Sequence, residues 1–254
     1  MGADLSGAQL LIALSLSPFV GSFLAVLTTR LPLRQSIVWS RSRCDSCGHR
    51  LAVADLIPVV SWLCLRGRCR YCRQPIGYLP VAMELSAFVV VVWAAAETAG
   101  WILIASSIFG WALLCLAFTD ARSLLLPDEI TLPLIPVGLW VTYRIDPTML
   151  GAHVFAALIC FCGLVALAWT YRRLRGRAGL GMGDAKLLAA LGAWLGPFGV
   201  PTAILFAAAL GLAFALYRSL AGRPLALSDK LPLGTFLAVG GWLVWLYGPL
   251  VPAA

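Results

Sequence analysis

Apolar runs of membrane length, separated by short polar connections, make up most of this chain. About eight can be drawn, at residues 8–29, 79–98, 101–119, 129–145, 151–170, 186–198, 200–218 and 232–251. Crossing the hydrocarbon takes roughly 20 apolar residues. In lipid the backbone must satisfy its own hydrogen bonds, and for runs of this length the α-helix does so. The expected fold class is therefore all-α, a polytopic membrane protein with about eight transmembrane helices. Composition agrees: 61% of residues are hydrophobic and 12% charged, where soluble domains are nearer half and one quarter. The first run lacks a basic leader and a small-residue cleavage site, so it reads as a retained span. The sixth is short and broken by glycine.

Lysine and arginine set the orientation. With the N-terminus outside, the connections 30–78, 120–128, 171–185 and 218–231, with Lys186, hold 18 of the 19 basic residues on the cytoplasmic side. Only Arg144 falls elsewhere, beside Asp146 as a ready partner. A net charge of +8 would suit nucleic acid, but these cations sit between apolar runs. They read as topology determinants and contacts to the lipid bilayer, with no nucleic-acid partner.

The first cytoplasmic connection carries Cys44-Asp45-Ser46-Cys47 and Cys69-Arg70-Tyr71-Cys72. Two C-x-x-C knuckles at this spacing predict a four-thiolate zinc site of Cys44, Cys47, Cys69 and Cys72, with no open position and hence a structural ion. Arg41, Arg43, Arg68, Arg70 and Arg73 would offset its charge and lower the thiol pKa values. His49 is a surface histidine or a substitute ligand. Cys64, Cys115, Cys160 and Cys162 read as small buried hydrophobes. The chain thus divides into a first helix (1–29), a cytoplasmic tetra-cysteine subdomain (30–78) and a membrane domain (79–254).

Two aspartates stand where apolar runs meet cytoplasmic connections: Asp120, ending the third, and Asp184 in Gly181-Met182-Gly183-Asp184, opening the sixth. A carboxylate beside hydrocarbon is costly, so each calls for a reason. Individually they read as a solvated span end and a helix N-cap. Together, at one depth, they are the equipment of aspartyl hydrolysis: one takes a proton from water while the other, still protonated, holds the scissile carbonyl. Gly181 and Gly183 give room for an extended substrate backbone. Asp128 reads as a cap of the fourth span, and also as a supporting carboxylate or an alternative partner for Asp184. Lys186 reads as an interfacial snorkeller or a residue tuning the pair. Glu84 could pair with a loop arginine or line the site.

These motifs resemble the type IV prepilin leader peptidases, over nearly the whole chain. The resemblance rests on Gly21-Ser22-Phe23-Leu24, Arg30-Leu31-Pro32, both cysteine pairs, Ile57-Pro58-Val59-Val60-Ser61-Trp62-Leu63, residues 120–134 and 181–192, and Leu233-Gly234-Thr235-Phe236-Leu237-Ala238. It implies an aspartyl endopeptidase of the bacterial inner membrane with a cytoplasmic catalytic face, and Asp120 and Asp184 as the catalytic pair. Its substrates would be prepilins or type II secretion pseudopilins, cut after a short basic leader that ends in glycine. It further implies N-methylation of the new terminus from S-adenosylmethionine, with the cysteine loop involved. Two departures touch that step: Leu56 stands where the family has asparagine, and Gly77-Tyr78-Leu79-Pro80 replaces an Arg-Tyr-Pro arrangement. Asp45, Asp55, Glu84 and Asp128 are the acids available to a basic leader. The rival readings are a proton-coupled transporter, which calls for mid-bilayer acids and related halves, and a non-catalytic zinc-loop scaffold.

Overall fold

The computed structural model describes residues 2–37, 42–44, 46–176, 181–222 and 231–251, with side chains from residue 7 onward. Arg41 and Asp45 lie outside the described residues. Among the described residues eight α-helices follow in order: α1 (Gly2–Arg30), α2 (Val60–Cys64), α3 (Leu79–Glu97), α4 (Gly100–Ser123), α5 (Asp128–Ile145), α6 (Leu150–Arg175), α7 (Met182–Leu220) and α8 (Leu233–Tyr247). Among the described residues there is no strand, only two isolated β-bridges. Among the described residues five stretches are long and apolar enough to cross a membrane: Gly7–Arg30, Leu79–Glu97, Gly100–Ser123, Pro147–Arg175 and Met182–Leu220. The chain is a mostly helical, multi-pass membrane protein.

Two compact units partition the chain, Met1–Cys115 and Leu116–Ala254. In the first, α1 packs on α3 through Gly21, where a Cβ would sit 2.5 Å from the Glu84 Cα. Close backbone approach through small residues is how helices associate in lipid. Trp111 Nε1 donates to the Ala87 carbonyl at 3.0 Å, and Thr28 Oγ1 lies 3.5 Å from Cys115 Sγ. Of the four scattered cysteines only Cys115 is buried; Cys160 is half-buried and Cys64 and Cys162 are exposed. The expectation of buried hydrophobes fails for those two because α2 and α6 turn them outward.

In the second unit, α5, α6 and α8 pack around α7. Gly192 meets the Ala157 backbone and Gly240 meets the Ala203 carbonyl, while Gly138 makes room for Trp194, whose Nε1 donates to the Leu134 carbonyl at 2.9 Å. α7 is two helices in one. Gly196 has φ 67°, a left-handed value that suits glycine, and Pro197 follows. Proline lacks the N–H that would bond the Ala193 carbonyl. Thr142 Oγ1 (3.2 Å) and His153 Nδ1 (3.0 Å) reach that carbonyl instead. Beyond the break the chain reverses. Leu191 lies against Gly241 and Trp194 against Trp245, yet Phe214 stacks on Phe236 and Ala207 meets Gly240. The first arm therefore runs with α8 and the second against it, which matches the two separate runs expected at 186–198 and 200–218.

Candidate functional site

The four knuckle cysteines converge although 21 residues separate the pairs. Their sulfurs all lie within 4.8 Å of one another, with Cys44 Sγ 3.7 Å from Cys72 Sγ. A tetrahedral ion with Zn–S bonds near 2.3 Å requires sulfur pairs about 3.8 Å apart, so the donor set fits a metal ion. Both knuckles share one backbone design. Cys44 N–H donates to the His49 carbonyl and Gly48 N–H to the Cys44 carbonyl; Cys69 N–H donates to the Gln74 carbonyl and Arg73 N–H to the Cys69 carbonyl. The bridges Arg43↔Arg50 and Arg68↔Pro75 close the two turns, with Gly48 and Arg73 left-handed at equivalent places. The Cys44 thiol is pulled down to about 6 by the backbone N–H groups of Cys47 and then Ser46. The expected arginines are not the cause. Arg70 instead pairs with Asp55 at 2.7 Å, and His49 stacks on Tyr71, outside the sulfur cluster.

Asp120 and Asp184 meet in the second unit. Asp120 lies three residues before the end of α4, is 4% exposed, and accepts through Oδ2 from Thr235 N–H (2.7 Å) and from the Thr235 hydroxyl (3.1 Å), which it shares with the Ala117 carbonyl (3.0 Å). Thr235 is the third residue of α8, so its N–H has no partner within the helix; Asp120 satisfies it at the positive end of the helix dipole. Asp184 is the third residue of α7, whose N-cap is Gly181, not Asp184. Its carboxylate turns back toward Gly181, where a Cβ would be 3.1 Å from Oδ2. The two carboxylates are within electrostatic reach of each other. Each therefore sits at a helix N-terminus, which explains how an apolar bundle tolerates it.

Leu126, in the connection from α4 to α5, lies between two glycines. A Cβ on Gly183 would be 2.9 Å from Leu126, and one on Gly234 would be 2.9 Å from Leu126 and 3.0 Å from Asp120 Oδ2. Gly183 thus belongs beside the pair for want of space. Thr235, Gly234 and Leu126 carried no expected role; the Leu233-Gly234-Thr235 motif was the available signal.

The remaining candidates sit differently from expectation. Asp128 does not cap α5, because the N-cap is Pro127 with no side-chain bond; both Asp128 oxygens accept from Lys186 Nζ at 2.6 Å. Lys186 accordingly ties α7 to the start of α5, where snorkelling was expected. Glu84, 6% exposed, accepts the Val59 N–H at 2.7 Å, and no arginine ion pair to it occurs among the described residues. Asp146 accepts from Thr148 N–H and Oγ1, while Arg144 lies over Trp140.

Residues 16–98 match the family model described as Bacterial Peptidase A24 N-terminal domain, and 107–216 match the Type IV leader peptidase family. The chain belongs to the type IV leader peptidase family. Among its relatives is a protein of Aeromonas salmonicida (strain A449), 35% identical, with the alignment covering 91% of this chain and 88% of that one. A protein of Burkholderia pseudomallei (strain 1026b) is 37% identical over 96% of this chain and 87% of its own. One of Dichelobacter nodosus is 38% identical over 85% and 74%. All three are named prepilin leader peptidase/N-methyltransferase. No solved structure matches the chain.

Proposed function

We propose that this family member is a membrane aspartyl endopeptidase that removes the leader of prepilins or type II secretion pseudopilins, with Asp120 and Asp184 as its catalytic pair. One observation supports the reading: Asp120, bonded to the start of α8, and Asp184, in the first turn of α7, come within electrostatic reach of each other, with Gly183, Gly234 and Leu126 packed beside them. Thr235 holds Oδ2 of Asp120, and its other oxygen is the one offered to a water. One carboxylate draws a proton from that water as it attacks the scissile carbonyl. The other, protonated, gives its proton to the developing oxyanion; the first then passes the water's proton to the leaving amine, and collapse of the gem-diol returns a proton to the second. Gly181 admits the substrate backbone, while Gly183 lets Leu126 pack beside the pair; Asp128 and Lys186 steady the chain on either side.

The four cysteines hold zinc as a structural ion, since four thiolates leave it no open position. N-methylation of the new terminus from S-adenosylmethionine is carried over from the relatives' names, and no residue here is assigned to that donor. The distribution of basic residues supports a cytoplasmic catalytic face in the bacterial inner membrane and the division at 1–29, 30–78 and 79–254.

The test is Asp120→Asn and Asp184→Asn, each assayed in membranes against a prepilin. Each is expected to lower processing by at least about 10³-fold, the scale of losing an essential acid or base, with helix content unchanged. Full processing by both would leave the scaffold reading. For methylation, transfer of a labelled methyl group to the cleaved product decides.

A further inference from the structure

Residues 53–64 form two short helical pieces with an unpartnered apolar face. Val53 and Leu56 lie three apart in a 3₁₀ turn, where such residues eclipse, and Val60 and Leu63 lie three apart on α2. With Ile57 between, all five are exposed, from 42% at Leu56 to 85% at Val53.

This stretch is anchored to the membrane helices. Its Val59 N–H is held by Glu84, five residues into α3, with the Glu84 side chain leaning back toward the start of that helix. Val59 has φ 59°, a costly value for a β-branched residue. The Glu84 backbone in turn lies against Gly21, nine residues and about 13 Å before the end of α1. The segment is therefore tied through Val59 to α3 near that helix's start, where α3 lies against α1. A short apolar run tied at that place suits an interfacial segment.

Directly after it comes a cavity of about 450 Å³ lined by Cys64, Leu65, the metal-site Cys69 and the arginines Arg66, Arg68, Arg70 and Arg73. Arg70 is engaged by Asp55. Arg66, Gly67 and Arg73 all take left-handed backbone. Among the described residues no carboxylate pairs with Arg66, Arg68 or Arg73. Guanidinium forks match phosphate oxygens in number and direction. A cavity of this size admits a lipid headgroup, and a cationic peptide would be repelled.

We propose that residues 53–64 lie in the lipid leaflet beside α1 and α3, and that the arginine-lined cavity behind them binds the phosphate of an anionic phospholipid. Acyl chains cover Val53, Leu56, Ile57, Val60 and Leu63 while the headgroup meets Arg66, Arg68 and Arg73. The site owes nothing to the peptidase reading.

The full-length protein in nanodiscs of equal phosphatidylglycerol and phosphatidylcholine is released into native mass spectrometry, and its retained lipids are counted. Phosphatidylglycerol is expected to be enriched, and the enrichment to fall by roughly fivefold for each of Arg66→Gln, Arg68→Gln and Arg73→Gln. The corresponding lysine variants, which keep the charge, should retain most of it. No enrichment in the wild type, or the same enrichment in the triple glutamine variant, overturns the proposal. A benzophenone amino acid placed at position 60 or 63 reports depth independently of the arginines. Mass shifts matching phospholipid adducts on illumination are the expected result; adducts to protein alone, or none, would contradict it.

Discussion

Each cysteine knuckle satisfies its backbone within six residues, Cys44 with His49 and Cys69 with Gln74. The carboxylate pair is assembled the other way: Asp120 is bonded by Thr235, 115 residues along the chain, and Asp184 arrives on a third helix. The backbone bonds of each knuckle are local, and an ion held by the four sulfurs would join the two halves. The pair exists only when α4, α7 and the start of α8 have packed around Leu126. Local geometry depends on one ligand, whereas the non-local site depends on many small contacts.

Metal removal should expose that contrast most sharply. Structural zinc contributes on the order of 10 kcal/mol to folding its site. A strong chelator, or Cys72→Ser, should open residues 42–76 to proteases while the thermal transition of the membrane helices stays in place. Equal protection with and without chelator would show that the knuckles stand on their backbone bonds alone.

Next in size is Gly234→Ala. Its Cβ would sit 3.0 Å from Asp120 Oδ2 and 2.9 Å from Leu126, so the carboxylate must move. Misplacement near 1 Å costs about a hundredfold in rate; prepilin processing should fall by that order, with about 1–3 kcal/mol lost from overpacking. Wild-type turnover by this variant would mean the pair tolerates displacement.

Thr235→Val removes the hydroxyl but keeps the N–H bond to Asp120. About tenfold lower kcat is expected, the scale of one net hydrogen bond, with Thr235→Ser restoring it. Were Ser no better than Val, the threonine would matter for packing and not for its donor.

The smallest effect belongs to Lys186→Ala. Its partner Asp128 has a side chain 53% exposed, and such pairs are worth less than about 1 kcal/mol. A stability loss well above that, read from thermal unfolding in detergent, would make this ion pair part of what holds Asp184.

Cysteine spacing and apolar runs were legible in the sequence because each is a local pattern with one physical solution. Even the hairpin within α7 was visible as two separate runs, 186–198 and 200–218, the first of them short and broken by glycine. Thr235 and Leu126 were not, since a threonine at a helix start and a leucine in a connection have many ordinary uses. Their role arises only when distant glycines bring them against Asp120 and Gly183. Asp128 was misread for a related reason. A carboxylate beside Pro127 suits a cap, and nothing local says that Lys186, 58 residues away, will claim it.

The first arm of α7, residues 182–195, and α8, with 15 residues, each rise only about 21–22 Å. A bilayer core is roughly 30 Å thick. Both helices begin beside the carboxylates and fall about 8 Å short of that thickness. Set in a bilayer, they would have to be met by local thinning of the leaflet or by entering solvent, and on the proposed reading either would bring water toward Asp120 and Asp184.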